Sequence, residues 1–472
     1  MYPAQTSLIS TTVAIARFLE TNGLSSFFRT YPYWYLGTTP LRFLTGPVVP
    51  LLITTIHKVL PGVSLFSISI YLIWFSFFLG ALGWGILAKQ ISKNKILGIV
   101  VAILFLLLPW RYFTSLAFDE ASFIVSRNFL PYALIVIWGL LKEKSRRNFS
   151  LATLTVSFLL LINTSILSIL IVGMSALILA ASFKKGKIKG VSKYIKPLLT
   201  VLVSSLVLAT FWYTPTFWRT ILVNPSIGGA PGFKVIFRIL DLLKTSVPLI
   251  LALLTVYFSG KIKNRFAIFS LTWVFTFLFL TVFRFIGDPD FWQDWTSWFY
   301  ELEIGIVLLI GIFLTRKKYF VSLILFTLPF LLSFYIYDLL GRQKLILDSI
   351  PEGVRSLEKL TEIAGEEKVF LSGSTVFWAN ALYDLHQVRG GRDQVAIHPS
   401  WDVVAYELRE GVNSESAKRQ LKELDISFVL VHGPDSAEYY HDFKNIGKWQ
   451  KVGRIIWEDN GDTIYEINGK KN

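Results

Sequence analysis

The feature that most constrains this fold is a series of apolar runs that are long enough, or nearly long enough, to cross a bilayer. A spanning helix needs about 17–25 predominantly apolar residues. The runs lie near 66–88, 95–110, 128–142, 150–166, 167–183, 197–213, 246–260, 265–284, 300–315 and 319–338. Several are short, so we expect some helices to be broken or re-entrant. The series predicts a mainly α fold, a polytopic helical membrane domain of about ten spans.

Short basic loops separate alternate runs and predict the topology. Clusters of lysine and arginine occur at 89–95, 142–147, 184–196, 261–265 and 316–318. With ten crossings all of these clusters fall on one side, and short basic loops mark the cytoplasm. We therefore expect a multi-pass protein of the cell membrane whose polar segments lie outside. These segments are 1–65, 111–127, 214–245, 285–299 and everything after Asp338.

The net charge of +15 is concentrated in the membrane part. Up to Asp338 there are 30 lysines and arginines against 11 acidic residues, whereas the rest of the chain has 17 against 21. Orientation charges beside spans explain this excess better than a nucleic-acid surface does, so we expect no nucleic-acid partner. The absence of cysteine excludes disulfides, thiolate metal sites and cysteine nucleophiles.

From about Leu339 the composition becomes that of a soluble domain. Short strands alternate with an amphipathic helix at Ser414–Leu424, for which Ser414 is the expected cap. Asn460-Gly461 is a strong hairpin turn signal between the last two strands. The sequence therefore predicts an outer aromatic and proline-rich segment at 1–65, a transmembrane domain at 66–338 and an extracytoplasmic α/β domain at 339–472.

The first outer segment mixes aromatic and basic residues with many helix breakers. Tyr33 and Trp34 stand in an aromatic run flanked by Arg29 and Arg42, and the prolines and glycines around them favour a shaped loop. One interpretation is an aromatic belt at the membrane interface. The other is a platform on which rings stack on a sugar while arginines pair with phosphate.

Two acidic pairs in outer loops are candidates for chemistry. Asp288 and Asp290 form a D-x-D pair that could share a divalent cation or supply a base, and Arg284 precedes them. Asp119-Glu120 is the second pair. For both pairs a solvated acidic turn is the simpler alternative.

Two further stretches are unusual. Residues 209–218 end a span in aromatic residues and a proline, before a loop rich in glycine and proline. In the C-terminal domain, residues 389–393 read Arg-Gly-Gly-Arg-Asp, which is either a turn or a contact with the glycan or the membrane-side site. The sequence contains no P-loop, no G-x-G-x-x-G and no Ser/His/Asp spacing of a hydrolase.

This combination of many spans, elaborated outer loops, an aromatic-proline first loop, a span ending Phe-Trp-Tyr-Thr-Pro and a terminal α/β domain resembles the GT-C superfamily of membrane glycosyltransferases. It is most similar to the uncharacterised membrane family labelled as 6-pyruvoyl-tetrahydropterin-synthase-related, although the histidine zinc site of pterin chemistry is missing. The resemblance implies a polyprenyl-phosphate sugar donor and transfer on the outer face. Such enzymes usually carry their acidic base just after a first span. Here that span is absent, and Glu20 is the only carboxylate of the first outer segment.

The resemblance assigns roles to the candidate residues. Glu20, Asp119 and Glu120 are candidate bases, and Asp288 and Asp290 would hold Mg or Mn. The predicted substrate-binding residues are Arg29, Tyr33, Trp34, Arg42 and Arg284. The expected partners are membrane lipid, a polyprenyl-phosphate sugar and a glycan or protein acceptor.

The alternative function is a non-catalytic lipid-glycan transporter or an envelope-assembly scaffold with the same fold. A transporter more often buries charges in mid-span, whereas the charges of these runs stand near the ends, which favours the enzyme.

Overall fold

The computed structural model describes residues 1–107, 110–184, 187–223, 264–286, 295–315, 345–398 and 400–467. Helices dominate the chain up to residue 315, and a five-stranded sheet lies near the C-terminus. The predicted runs at 246–260 and 319–338 lie outside the described residues.

The first segment is folded rather than an open interfacial loop. Its elements are β1 (Tyr2–Pro3), α1 (Ile9–Asn22), α2 (Leu41–Leu44) and α3 (Val48–Val59). The apolar stretch within α1 is too short to span a bilayer, and it is buried along most of its length. β1 pairs antiparallel with β4 (Ile346–Leu347), which leads into the C-terminal domain.

A helical bundle follows. Its helices are α4 (Leu65–Ser92), α5 (Lys95–Leu107), α6 (Trp110–Phe118), α7 (Ala121–Lys142), α8 (Arg146–Ile162), α9 (Ile166–Ser182), α10 (Ser192–Leu208), α11 (Pro215–Val223), α12 (Arg265–Ile286) and α13 (Trp295–Leu314). A short hairpin of β2 (Phe183–Lys184) and β3 (Lys187–Ile188) joins α9 to α10. The long run at 150–183 is two helices, because the backbone breaks at 163–165.

Length and apolarity qualify three of the described helices as spans: Leu65–Ser92, Ala121–Lys142 and Ser192–Phe211. The pair Lys95–Leu107 and Arg111–Phe118 qualifies as a fourth if its 46° bend lies within one span. The prediction of broken helices is thus confirmed at this pair, whereas the count of about ten spans stays a prediction.

The described residues of four basic loops gather at one end of the bundle, and the cluster at 316–318 lies outside the described residues. Lys142 Nζ donates to the carbonyl of Gln90 at 3.3 Å, and Lys144 Nζ donates to that of Lys193 at 3.2 Å. Arg265 Nε donates to the Phe183 carbonyl at 3.2 Å. We call this the basic end and the opposite end, against which the C-terminal domain packs, the domain end. Which side of the membrane each end faces stays a prediction.

The C-terminal domain has the predicted α/β layers. Its further strands are β5 (Lys368–Phe370), β6 (His386–Gln387), β7 (Ile426–His432), β8 (Arg454–Asp459) and β9 (Asp462–Glu466). Its helices are α14 (Ser356–Ala364), α15 (Thr375–Leu382), α16 (Trp401–Glu410), α17 (Ser414–Glu423) and α18 (Trp449–Val452). The sheet order is β6-β5-β7-β9-β8, parallel from β6 to β7 and antiparallel beyond it.

Local signals of this domain are confirmed with one correction. Asn460 and Gly461 both have positive φ, 47° and 81°, and form the turn of the β8–β9 hairpin. The cap of α17 is Asn413 and not Ser414: its side chain accepts from the backbone N–H groups of Glu415 and Ser416. Serine and asparagine are both favoured cap residues. Asn413, one position before Ser414, has the extended backbone that a cap requires, so it takes this role.

A continuous hydrophobic core joins the bundle to the domain. It runs from α1 through α4 and α7 into the face of the sheet that carries Val369 and Leu430. A second core fills the opposite face of the sheet, beneath α16, α17 and α18. The domain is therefore docked on the bundle, which brings its loops to the domain end.

Candidate functional site

Burial separates the aromatic residues of the first segment. Trp34 is 1% exposed, and its indole N–H donates to Asn380 Oδ1 at 2.9 Å. Tyr33 is partly exposed, with its ring 5.2 Å from that of His386. Trp34 is thus enclosed at the contact with the C-terminal domain and presents no free face to a sugar, whereas Tyr33 keeps an accessible edge.

Glu20, Arg29 and Arg42 occupy different surroundings. Glu20 Oε1 lies 3.1 Å from Nε2 of His57 on α3, and both side chains are partly exposed. Arg29 is exposed, whereas Arg42 is half-buried. The Arg42 guanidinium lies 5.9 Å from the ring of Phe43, and its Nε has no hydrogen-bond partner in the described part of the chain.

Asp119 and Glu120 lie at the turn between α6 and α7 and make different contacts. Asp119 accepts from Arg127 Nη1 at 2.5 Å, inside the bundle. Arg127 Nε lies in turn 3.5 Å from Glu301 Oε1 on α13. Asp119 therefore belongs to a buried ion chain of Asp119, Arg127 and Glu301.

Glu120 instead enters a polar cluster at the domain end. Thr45 Oγ1 lies 3.4 Å from Glu120 Oε1, and Asn163 Nδ2 lies 3.3 Å from Glu120 Oε2. Asn163 is available because α8 ends at Ile162, so the break between α8 and α9 presents its side chain to the carboxylate. Both hydrogen bonds are long, and Glu120 remains partly exposed.

The C-terminal domain contributes an arginine to the same place. Arg392 Nη2 donates to Thr164 Oγ1 at 2.7 Å, one residue after Asn163. Arg392 is 9% exposed, and its Nη1 has no hydrogen-bond partner among the described residues. A buried guanidinium with an unused N–H is a ready donor for an anionic ligand.

Two glycines let the Arg-Gly-Gly-Arg-Asp loop carry Arg392 into the cluster. A Cβ on Gly390 would lie 2.7 Å from Trp34, and one on Gly391 would lie 2.5 Å from Thr11. Larger residues would push the loop away from the first segment. Of the two interpretations of this loop, a turn and a contact with the membrane-side site, the structure shows the contact.

The aromatic end of α10 closes the cluster on another side. The Trp212 indole donates to the Thr45 carbonyl at 3.0 Å. The Tyr213 hydroxyl is buried and has no hydrogen-bond partner in the described part. The Arg392 guanidinium lies 6.0 Å from the ring of Phe217. We call the resulting group the interface cluster; its members are Thr45, Glu120, Asn163, Thr164, Tyr213 and Arg392.

The electrostatics of the cluster favour proton exchange at Glu120. Burial raises the pKa of the Glu120 carboxyl above its usual value. The Arg392 guanidinium and the hydrogen bonds from Thr45, Ser122 and Asn163 oppose that rise. A carboxyl of raised pKa is a better general base than an ordinary one, because it holds the proton that it removes more firmly.

The Mg or Mn site was predicted at Asp288 and Asp290. Asp288 and Asp290 lie outside the described residues, and of Arg284 only the backbone near the end of α12 is described. Among the described residues no group of three or more His, Cys, Asp or Glu side chains could hold a metal ion. The Mg or Mn site therefore stays a prediction.

The domain also contains the geometry of a hydrolase triad, which sequence spacing did not predict. Thr375 Oγ1 lies 3.4 Å from His432 Nε2, and His432 Nδ1 lies 2.8 Å from Asp462 Oδ1. Thr375, however, donates to the Ser372 carbonyl at 2.6 Å and is fully buried. A substrate has no access to its hydroxyl, so the arrangement stabilises the fold.

Sequence reasoning singled out the loop 389–393 but assigned no role to Arg392, and it assigned none to Arg127 or Glu301. The glycine pair beside Arg392 was the available signal. Arg127 and Glu301 looked like charges at span ends, and α7 begins at Ala121 and α13 at Trp295. Each helix thus starts before its apolar run, and the expectation that the spans carry charges only near their ends stays a prediction.

Solved structures of similar architecture include an archaeal oligosaccharyltransferase, AglB from Archaeoglobus fulgidus in complex with an inhibitory peptide and a dolichol-phosphate. The TM-score is 0.53 at 13% identity, over 99% of this chain and 71% of that one. A complex of the Archaeoglobus fulgidus oligosaccharyltransferase with Zn and sulfate has a TM-score of 0.52 at 13% identity, over 99% and 70%. ArnT from Cupriavidus metallidurans, bound to undecaprenyl phosphate, has a TM-score of 0.53 at 10% identity, over 99% and 95%.

The architecture that this chain shares with these structures is the GT-C fold. The predicted GT-C architecture is confirmed at the level of the fold, which is all that identities of 13% or less can show. No protein-family model and no curated protein matches the sequence. The nearer resemblance to the 6-pyruvoyl-tetrahydropterin-synthase-related family stays a prediction.

Proposed function

We propose that this protein is a membrane glycosyltransferase of GT-C type that transfers a sugar from a polyprenyl-phosphate donor to a glycan or protein acceptor at the domain end. The observation that carries the proposal is the interface cluster, in which a carboxyl and a buried arginine meet although they come from opposite ends of the chain. The fold supports it, and so do the lipid phosphates bound to the two neighbours, dolichol-phosphate and undecaprenyl phosphate.

Glu120 is the base in this proposal. It would accept the proton of the acceptor hydroxyl as that oxygen attacks the anomeric carbon of the donor. Asn163 and Thr45 would hold the carboxylate through its two oxygens, leaving the remaining lone pairs for the acceptor. Positioned bases contribute about 10²–10⁴-fold to rate.

Arg392 binds the phosphate that leaves. Its Nη2 is fixed on Thr164, and its free Nη1 would donate to a phosphate oxygen. In a buried site such a charge-assisted hydrogen bond stabilises the negative charge that develops as the sugar–phosphate bond breaks. Arg42 is the nearest further candidate, because its neighbour Phe43 packs on Phe217 at 5.4 Å.

The other predicted residues keep subordinate places in this proposal. Tyr33 would contact sugar, Arg284 would bind the lipid phosphate, and Asp288 and Asp290 would hold a divalent cation or orient the acceptor. No step of the mechanism is routed through a metal.

The test is sugar transfer from a polyprenyl-phosphate donor by the full chain in proteoliposomes. Glu120→Gln and Arg392→Met should each lower the rate by about 10²-fold or more. The matched controls are Glu143→Gln, at the basic end, and Arg419→Met, whose side chain is 71% exposed. Transfer that survives both cluster variants at the wild-type rate would remove this site from consideration.

A lipid-glycan transporter is the second candidate, and one observation favours it. Arg127 and Glu301 are charged residues that lie buried within helices. Transporters often bury such charges, and their expected absence had counted against transport. In the same proteoliposomes without acceptor, a transporter would move the lipid-linked sugar across the bilayer. A glycosyltransferase would leave its distribution unchanged.

A further inference from the structure

Glu301 lies inside the helical bundle, on α13. Its backbone carbonyl accepts from the indole of Trp273 on α12 at 2.8 Å. Its side chain is fully buried.

The Glu301 carboxyl lacks the partners that a buried carboxylate needs. Neither of its oxygens has a hydrogen-bond partner among the described residues. The cation beside it is Arg127, whose Nε is 3.5 Å away. Arg127, however, already donates through Nη1 to Asp119 at 2.5 Å. The Arg127 guanidinium thus lies between the carboxyl groups of Glu301 and Asp119 and is hydrogen-bonded to that of Asp119.

Helix α6 supplies a second buried cation, the guanidinium of Arg111. The Arg111 guanidinium lies over the ring of Phe105 at 3.8 Å, and the Arg111 backbone N–H donates to Glu303 Oε2 at 2.7 Å. Tyr300, also buried here, donates its hydroxyl to Asn128 at 2.8 Å. Within the described residues, this region contains two guanidinium groups and the three carboxyl groups of Asp119, Glu301 and Glu303.

The described helices α5 and α12, which pack against α13, carry ionisable residues only near their ends. The only ionisable residue of α5 is Lys95, at the basic end. Those of α12 are Arg265 and Arg284, in its first and last turns.

We propose that Glu301 is a proton-binding site inside the helical bundle and that its carboxyl is protonated at neutral pH. An ionised carboxylate without hydrogen bonds in a dry interior costs several kcal/mol, and binding a proton removes that cost. The proposed ligand is thus a proton on Glu301, next to Arg127, which is already hydrogen-bonded to Asp119.

This arrangement makes the protonation of Glu301 depend on Asp119. If Asp119 loses its charge, Arg127 has a single carboxyl left to neutralise, and Glu301 gives up its proton to water and pairs with Arg127 as a carboxylate. Because Asp119 and Glu301 share one guanidinium, we expect the pair to bind one proton, which is located on Glu301.

Infrared spectroscopy of the purified full chain at neutral pH tests this site without any assay of activity. The carbonyl band of a protonated carboxylic acid should be present in the wild type, absent in Glu301→Gln and lost in Asp119→Asn. Glu303→Gln, two residues along the same helix, should keep the band. Glu120→Gln is measured in parallel, because burial raises the pKa of that carboxyl as well.

Two results would overturn the proposal: a wild-type spectrum without a protonated carboxyl, or a band that persists unchanged in Glu301→Gln. If Glu301→Gln does not fold, the wild type and Asp119→Asn still decide the matter, since a band that survives in Asp119→Asn contradicts the coupling. Failure of sugar transfer in proteoliposomes would leave this outcome unaffected.

Discussion

The cluster around Glu438 in the C-terminal domain and the interface cluster both bury polar groups, but Glu438 accepts more and shorter hydrogen bonds than Glu120 does. In the domain, Glu438 is 1% exposed and accepts from the Ser374 N–H at 2.7 Å, the Ser374 hydroxyl at 2.6 Å and Gln5 Nε2 at 3.2 Å. In the interface cluster the hydrogen bonds to Glu120 are 3.3 Å or longer, and Arg392 and Tyr213 keep unused groups.

The difference distinguishes a polar cluster that holds a fold together from one that is built to receive a ligand. Buried polar groups are nearly always satisfied, because an unpaired one costs about 1–3 kcal/mol. The domain follows this rule at Glu438. The interface cluster departs from this rule, because Arg392 and Tyr213 keep unpaired groups among the described residues. Four segments of the first 223 residues meet a loop of the domain there, and a ligand could supply the missing partners.

The largest expected effect is on the satisfied cluster. Glu438→Ala leaves the donors of Ser374 and Gln5 buried without an acceptor, so the free energy of unfolding should fall by about 3 kcal/mol or more. Thermal unfolding of the purified protein measures this, with Glu423→Ala, whose side chain is 67% exposed, as the control. An unchanged unfolding temperature would mean that the hydrogen bonds to Glu438 do not stabilise the fold, so that the two clusters do not differ in this respect.

The dependence of stability on pH should have opposite signs in the two regions. Burial would raise the pKa of Asp442, but the hydrogen bond from Ser372 and the charges of Arg409 and Arg389 hold it below the ordinary value of 3.8. Its stabilising contribution is therefore present above pH 3.8 and is lost as the pH falls through the lower, folded-state pKa. The raised pKa of Glu120 works the other way: stability is greatest below its ordinary value of 4.5 and declines as the pH rises through the folded-state pKa.

Unfolding temperatures across the acidic range measure both slopes. Asp442→Asn should remove part of the loss of stability toward low pH, whereas Glu120→Gln should remove part of the decline toward neutral pH. Equal slopes in wild type and both variants would show that neither carboxyl is coupled to folding.

The smallest expected effect is at Glu20, which lies in neither cluster. Its pairing with His57 is partly exposed, and such pairs contribute about 0–1 kcal/mol. Glu20→Gln should change stability by less than about 1 kcal/mol and leave sugar transfer at the wild-type rate. Loss of transfer in this variant would move the base from Glu120 to Glu20 and make the interface cluster a structural feature.

Hydropathy and charge predicted the bundle because both act over short stretches of chain. The break at 163–165, the gathering of the basic loops and the hairpin at Asn460-Gly461 all follow from neighbouring residues. The meeting of Arg392 with Thr164 joins residues 228 positions apart, and no local pattern encodes the docking of two domains. The burial of Glu301 was missed for a related reason: its helix begins six residues earlier, at Trp295, before the predicted apolar run.

The pairing of the first residues with the last domain has a consequence for how the protein is made. β1 finds its partner strand only at residues 346–347, Trp34 finds Asn380, and Gln5 finds Ser374 at a separation of 369 residues. Because synthesis runs from the N-terminus, this segment leaves the ribosome well before its partners in the domain are made. A chain that stops before Ser374 leaves this early segment as an exposed apolar surface, which cellular quality control can recognise and proteases can cut.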